Sequence, residues 1–318
     1  MTLAPPRSTG LEVDFAGLRL AHPVLNGSGT WDAIAAIRTF GAAAREELPF
    51  AAFVSKTITL APRGGNPPPR LWETPAGLIN SIGLPNKGLK GFLAHDLPEL
   101  AGLPVPLIVS VAGFSLEEFG TLVEAVAARP EVAALELNVS CPNVKSGCVI
   151  GSEREEMAAL MRCVRGLTSK PLIVKLTPNV SDVAPVAVAA EEGGADALSL
   201  INTLRATAIS PRSGEPWLGA GQGGLSGPAV RAVALALTAQ VAARTRLPIV
   251  GMGGIQTGRD ALDFIQAGAS CVAVGTESFR DPGAAARVRR ELGQELHARG
   301  AGSPPQATSL ARERLHRA

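Results

Sequence analysis

The chain has 318 residues, 46% hydrophobic and 18% charged, with a formal net charge of +2. That size and composition support a large buried core, and the near-balanced charge with dispersed basic residues argues against a nucleic-acid-binding stripe. No apolar run reaches the roughly 18 residues of a membrane span and the N-terminal stretch lacks a signal-peptide core, so the expectation is a cytoplasmic protein with neither a membrane nor a nucleic-acid partner.

Eight short apolar or β-branched runs are predicted as strands, at 23–26, 51–55, 106–111, 133–137, 172–175, 197–201, 249–251 and 271–274. Most do not alternate, as expected of strands buried on both faces. Helical patterns separate them. "SLEEFGTLVEAVAAR" has Ser115 as N-cap, with Glu117 and Glu118 in the first turn. "SEREEMAALMRCVRGL" opens similarly at Ser152, and "SDVAPVAVAAEEGG" opens at Ser181 and ends on a glycine cap. "GPAVRAVALALTAQVAART" and "TGRDALDFIQAG" follow the same logic. Alternating strands and helices imply right-handed βαβ units. Eight such units in roughly 250 residues fit a single (β/α)8, or TIM, barrel domain spanning 1–318; an open doubly wound sheet is the alternative. The tail from about residue 302 is either mobile or a short closing helix.

Two connections, 56–86 and 204–224, are too long for simple turns. Both follow strands, so they should cover the face where barrel enzymes place their chemistry. The strand ends there are polar: Asn26, Ser28 and Thr30 after the first run, Lys56 and Thr57 after the second, and Ser110 at the third. Asn138, Lys175, and Asn202 with Thr203 end the fourth, fifth and sixth. Any one of these could be an ordinary cap or surface residue; recurrence at most strand ends points to a site. The seventh and eighth runs end in Gly253–Gly254 and Gly275–Thr276. Glycine lets backbone N–H groups approach an anion, and barrels commonly hold phosphate there.

Four cysteines, at 141, 148, 163 and 271, fit neither a disulfide framework nor a zinc site, so no metal is expected. "GQGGLSG" lacks the G-x-G-x-x-G spacing and a preceding strand. A phosphate-bearing cofactor held by the barrel remains, with flavin mononucleotide (FMN) and pyridoxal phosphate both open.

Taken in order, "NGSGT", "KTITLAPRGGNPPPRLWETPAGLINSIGLPNKG", "ELNVSCPNVKSG", "VKLTPNV", "INT", "GGLSGPAV", "PIVGMGGIQTGRDALDFIQAGAS" and "VAVGTESFRDP" resemble dihydroorotate dehydrogenase from about residue 11 to 290. The resemblance is to class 1, which uses a cysteine base, and within it to the class 1B catalytic subunit. It implies bound FMN and oxidation of dihydroorotate to orotate in pyrimidine biosynthesis. It also implies a partner subunit with FAD and a [2Fe–2S] cluster that passes electrons to NAD⁺, in a homodimer or heterotetramer. By the same resemblance Cys141 is the general base, on a loop that opens and closes as a lid. Lys56, Asn80, Asn138, Asn143, Asn202 and Thr203 bind substrate, together with the segment Ser81, Ile82, Gly83 and Leu84. Ser28, Thr30, Lys56, Thr57, Asn138, Lys175, Ile201 and Gly227 border the flavin, while Gly253, Gly254, Gly275 and Thr276 hold its phosphate. Ser110 stands where the family commonly has a flavin-contacting asparagine, and Cys148 where a small residue is usual. The rival readings are a fumarate-reducing class 1A enzyme, a dihydropyrimidine dehydrogenase-like flavoenzyme, and a non-catalytic barrel that binds a phosphate ligand.

Overall fold

The eight apolar runs form eight parallel strands in a computed structural model that describes residues 10–140, 150–300 and 302–315. The strands are Val24–Asn26, Phe53–Val54, Leu107–Val111, Val132–Asn138, Leu172–Lys175, Ala197–Leu200, Ile249–Met252 and Cys271–Val274, called here the first to eighth. Each pairs in parallel with its chain neighbour from the second onward, and the eighth returns to the first. The seam between the first and second strands is closed largely by a side chain. Asn26 Nδ2 donates to Val54 O (2.8 Å), Val54 N donates to Asn26 Oδ1 (2.8 Å), and Ala51 N donates to Val24 O (3.0 Å). A buried carboxamide thus supplies the donor and acceptor that a longer second strand would supply from its backbone.

Two hydrophobic cores result. The outer one packs helices against the sheet, with Phe92, Phe119, Leu135, Phe264 and Leu292 all nearly fully buried. The inner one fills the barrel with Ala134, Ile173, Ala197, Val250 and Cys271. An antiparallel hairpin, Val13–Phe15 with Leu18–Leu20, belongs to this inner core and buries Phe15 completely. Burying such a side chain stabilises by about 1.5–3 kcal/mol.

The helix starts obey local chemistry. Ser115 caps Leu116–Ala127 by accepting from Glu118 N (3.2 Å), and Thr257 forms a capping box with Asp260 at the start of Gly258–Gln266. Two expected starts shift. The helix expected from Ser152 spans Arg154–Val164, with Glu153 at the cap position. The one expected from Ser181 spans Ala184–Glu192, because Asp182 Oδ1 takes the amide of Ala184 (3.0 Å). The described part of the tail is helical. Pro304–Leu315 packs on Gly258–Gln266, Thr308 Oγ1 donates to Ala269 O (2.7 Å), and Arg312 donates to the carbonyls of Gly268, Thr245 and Leu247. Among the described residues no helix is long and apolar enough to cross a membrane.

The long connections are not loops. Leu71–Thr74, Gly77–Asn80, Leu204–Ala206 and Gly223–Ser226 make a four-stranded antiparallel sheet over the barrel mouth. Its central pair joins segments about 145 residues apart, with Gly224 opposite Asn80. Only glycine fits at 224, since a Cβ there would lie 1.9 Å from Thr203 Oγ1.

Near the opposite end, His22 is buried and its Nδ1 accepts from Val24 N (3.3 Å). Burial, helped by the Arg289 guanidinium, pushes its pKa down from 6.5 to about 4. Below pH 6.5 the unfolded chain takes up a proton that the folded chain refuses. Stability present above that pH is therefore lost progressively as the pH falls to 4, by about 3 kcal/mol. Denaturant melts at pH 7 and pH 4.5 should show this slope, and His22→Gln should reduce it.

Candidate active site

The C-terminal ends of the strands and the small sheet enclose one cavity of about 950 Å³. Ligand sites occupy about 300–1,000 Å³, so this one is large enough for a cofactor and a substrate together. Its floor is made of strand ends. Ser28 and Thr30 come from the first, Lys56 and Thr57 from the second, and Asn138 and Ser140 from the fourth; Lys175 comes from the fifth, and Ile201, Asn202 and Thr203 from the sixth. Its roof carries Asn80, Ile82, Gly83 and Leu84, and Gly227, Gly253, Gly254, Gly275 and Thr276 line one end.

These side chains are mutually oriented. Asn202 Nδ2 donates to Asn138 Oδ1 (3.2 Å) and Ser140 Oγ (2.8 Å), while Asn202 Oδ1 accepts from Thr203 N (2.8 Å). Asn138 Nδ2 reaches Thr57 Oγ1 (3.3 Å), and Ser28 Oγ lies 3.1 Å from the same oxygen. In the roof, Gly83 and Leu84 adopt consecutive positive φ values of 76° and 54°. For leucine that conformation is strained, and strain of this kind collects at functional sites.

The end formed by the seventh and eighth strands is a cradle made by missing side chains. Gly253 and Gly254 have φ of 129° and 78°, and a Cβ on Gly254 would meet Gly227 O at 2.7 Å. Gly275 has only a distant neighbour, Thr30 Cγ2 at 3.5 Å, so its backbone stands open to the cavity. Charge favours an anion as well. Lys56, Lys175 and Arg205 line the cavity, and Glu277 is the one acid among its lining residues. The Glu277 carboxylate is itself engaged by Gln256 Nε2 (2.8 Å), Arg280 and Arg287 (3.2 Å).

Besides Asn26, which closes the barrel seam, four sequence-selected residues stand apart. Ser81 is buried beside the cavity rather than lining it, with its hydroxyl donating to Gln222 O (2.8 Å). Ser110, expected at the flavin, points beneath the floor: its hydroxyl meets Thr57 Oγ1 (2.9 Å) and donates to Glu136 Oε1 (3.0 Å). Ser110 is not among the residues that line the cavity. Cys141 and Asn143 lie outside the described residues, as does Cys148. Neither described cysteine lines the cavity. Burial pushes the Cys271 thiol up, making it a poor thiolate, and Cys163 Sγ donates to Leu116 O (3.3 Å).

Residues that strand-end reasoning missed include Asn179, Arg205, Gln222, Gln256 and Glu277. Asn179 was visible within "VKLTPNV"; it donates to Thr203 O (3.0 Å) and accepts from Arg205 N (2.8 Å), tying the fifth-strand loop to the sixth. Gln222 and Glu277 reach the cavity through the roof sheet and a short helix, Glu277–Arg280, whose placement only the fold reveals.

A cation-bearing cavity at the C-terminal mouth of a closed parallel barrel defines a barrel protein with its ligand site at the catalytic face. The sequence matches the dihydroorotate dehydrogenase family over residues 10–296. It is 50% identical over 292 residues to the dihydroorotate dehydrogenase B (NAD(+)) catalytic subunit of Desulforudis audaxviator, covering 91% of this chain and 93% of the relative. It is 44% identical over 290 residues to the protein of the same name from Citrifermentans bemidjiense, covering 90% and 93%. A Solibacter usitatus protein, 42% identical over 91% of this chain and 94% of its own length, carries a provisional dihydroorotate dehydrogenase A (fumarate) name. The chain belongs to the dihydroorotate dehydrogenase family, is an oxidoreductase, and is most like the class 1B catalytic subunits.

Proposed function

We propose that this chain oxidises dihydroorotate to orotate in pyrimidine biosynthesis, with FMN held across the barrel mouth and Cys141 as the base. The observation that carries the reading is the cavity itself. Apart from Asn26, Ser81 and Ser110, every described residue selected from the sequence lines it. The open glycine cradle at Gly254 and Gly275 suits a phosphate, and the cationic wall suits a doubly anionic cofactor beside an anionic substrate.

The residues divide the work. FMN, when bound, supplies the acceptor for the C6 hydride. Gly253, Gly254, Gly275 and Thr276 hold its phosphate, and Ser28, Thr30, Thr57, Ile201 and Gly227 border its ring and chain. The Lys175 ammonium stabilises negative charge that develops on the reduced ring. Asn80, Asn138, Asn143 and Asn202 offer donors and acceptors that match the edge of a pyrimidine. Asn138 and Asn202 are already fixed by mutual bonding, so little orientation is lost when substrate binds. Lys56 pairs with the substrate carboxylate, joined by backbone groups of Ser81 to Leu84. Cys141 takes the C5 proton as a thiolate. In the sequence it directly follows Ser140, which lines the cavity.

The names of the relatives, which specify a catalytic subunit and NAD(+), support a separate partner subunit; by family resemblance, we propose that it carries FAD and a [2Fe–2S] cluster and delivers electrons to NAD⁺ in the cytoplasm. Anaerobic mixing of the purified yellow chain with dihydroorotate should bleach the flavin, whereas dihydrouracil should not. Separate additions of fumarate, NAD⁺ and a quinone then identify the acceptor. The isolated chain should stay reduced with NAD⁺ until the partner subunit is supplied. Rapid reoxidation by fumarate would reassign it to the A type.

A further inference from the structure

One buried carboxylate takes no part in the chemistry above. Glu136 sits within the fourth strand at 3% exposure, one layer beneath the cavity floor. Both of its oxygens are held by hydroxyls: Oε1 accepts from Ser110 Oγ and Oε2 from Ser199 Oγ, each at 3.0 Å. Ser110 is braced in turn by Thr57 Oγ1 (2.9 Å) and through its own amide by Ser55 Oγ (3.1 Å). The Lys175 ammonium lies 3.8 Å from Glu136 Oε1, inside ion-pair range and outside hydrogen-bond range. Lys175 is 6% exposed, lines the cavity, and donates to no acceptor among the described residues.

This arrangement is unusual for a buried pair. Burying two charges is costly unless each is closely paired and hydrogen-bonded. Here the anion is satisfied by serines, and among the described residues the ammonium donates to no acceptor. We propose that Glu136 is a positioning residue for Lys175: a counter-charge that Ser110 and Ser199 hold away from the ammonium, so that the lysine stays neutralised yet keeps its donors for the ligand. Two consequences of opposite sign follow. Removing the charge strengthens the field of Lys175 in the cavity. Removing a serine lets the carboxylate close onto the ammonium and consume a donor.

The inference rests on the flavin reading, and its test uses the full chain loaded with FMN. The probe is sulfite, an anion that adds to oxidised flavin and is read as loss of the visible absorbance, independently of turnover. Glu136→Gln should bind sulfite about three- to tenfold more tightly than the parent chain. Ser199→Ala should bind it more weakly. In a Lys175→Met background, Glu136→Gln should change nothing. A yellow Glu136→Gln protein with unchanged or weaker sulfite affinity overturns the proposal, and so does an equal shift in the Lys175→Met background. If Glu136→Gln fails to hold flavin, Ser199→Ala decides alone: unchanged affinity in a yellow protein overturns the proposal. A parent chain that takes up no FMN at all would instead overturn the flavin reading, and with it the inference.

Discussion

Cys141→Ala will purify yellow, and dihydroorotate will reduce its flavin about 10²–10⁴-fold more slowly than it reduces the parent chain. The colour should survive because every residue assigned to FMN lies on the barrel strands, the roof or the glycine cradle, and none lies in 141–149. The rate should collapse because the C5 proton then has no acceptor of matched pKa. Of the other cysteines, Cys163 and Cys271 do not line the cavity, and burial raises the Cys271 thiol. Stopped-flow reduction under anaerobic conditions measures the step directly, before any electron acceptor is involved. A variant reduced at near-parental rate would remove Cys141 from the mechanism while leaving the flavin site standing.

Asn26→Leu should be the most destabilising single change away from the cavity. It removes two 2.8 Å hydrogen bonds at the barrel seam and leaves Val54 N–H and C=O buried beside an apolar side chain. A buried polar group left without a partner costs about 1–3 kcal/mol, so the pair costs about 2–6 kcal/mol. Urea denaturation should show a lowered midpoint with an unchanged slope. Flavin affinity should fall with it, because Ser28 and Lys56 follow the two strands that the seam joins. A loss below about 0.5 kcal/mol, the range of an unremarkable surface change, would mean that the seam is closed by other contacts.

The barrel was legible because parallel strands buried on both faces leave unbroken apolar runs, and all eight fell where those runs lie. Most of the polar strand ends were legible for the complementary reason: a Lys or Asn that ends such a run is placed at the mouth, Asn26 in the seam being the exception. What remained hidden was pairing at long range. The roof strands are three or four residues each, rich in glycine and half-buried, and their partners lie far away in sequence. No local pattern announces such a sheet. Glu136 was hidden by its setting, a single acid inside "AALELN", where only the fold shows Ser110, Lys175 and Ser199 converging on it. Ser110 was legible as a strand-end polar residue; its bonding to Thr57 and Glu136 is visible only in the fold.

The sheet over the mouth has a bearing on how this protein could be redesigned. Residues 56–86 and 204–226 are stitched together by backbone bonds, and Gly224 leaves no room for any other side chain beneath Thr203. A chimera that borrows either segment alone from a relative would bring mismatched edges to that seam. Altering substrate preference by transplanting surface segments therefore requires that both travel as one cassette.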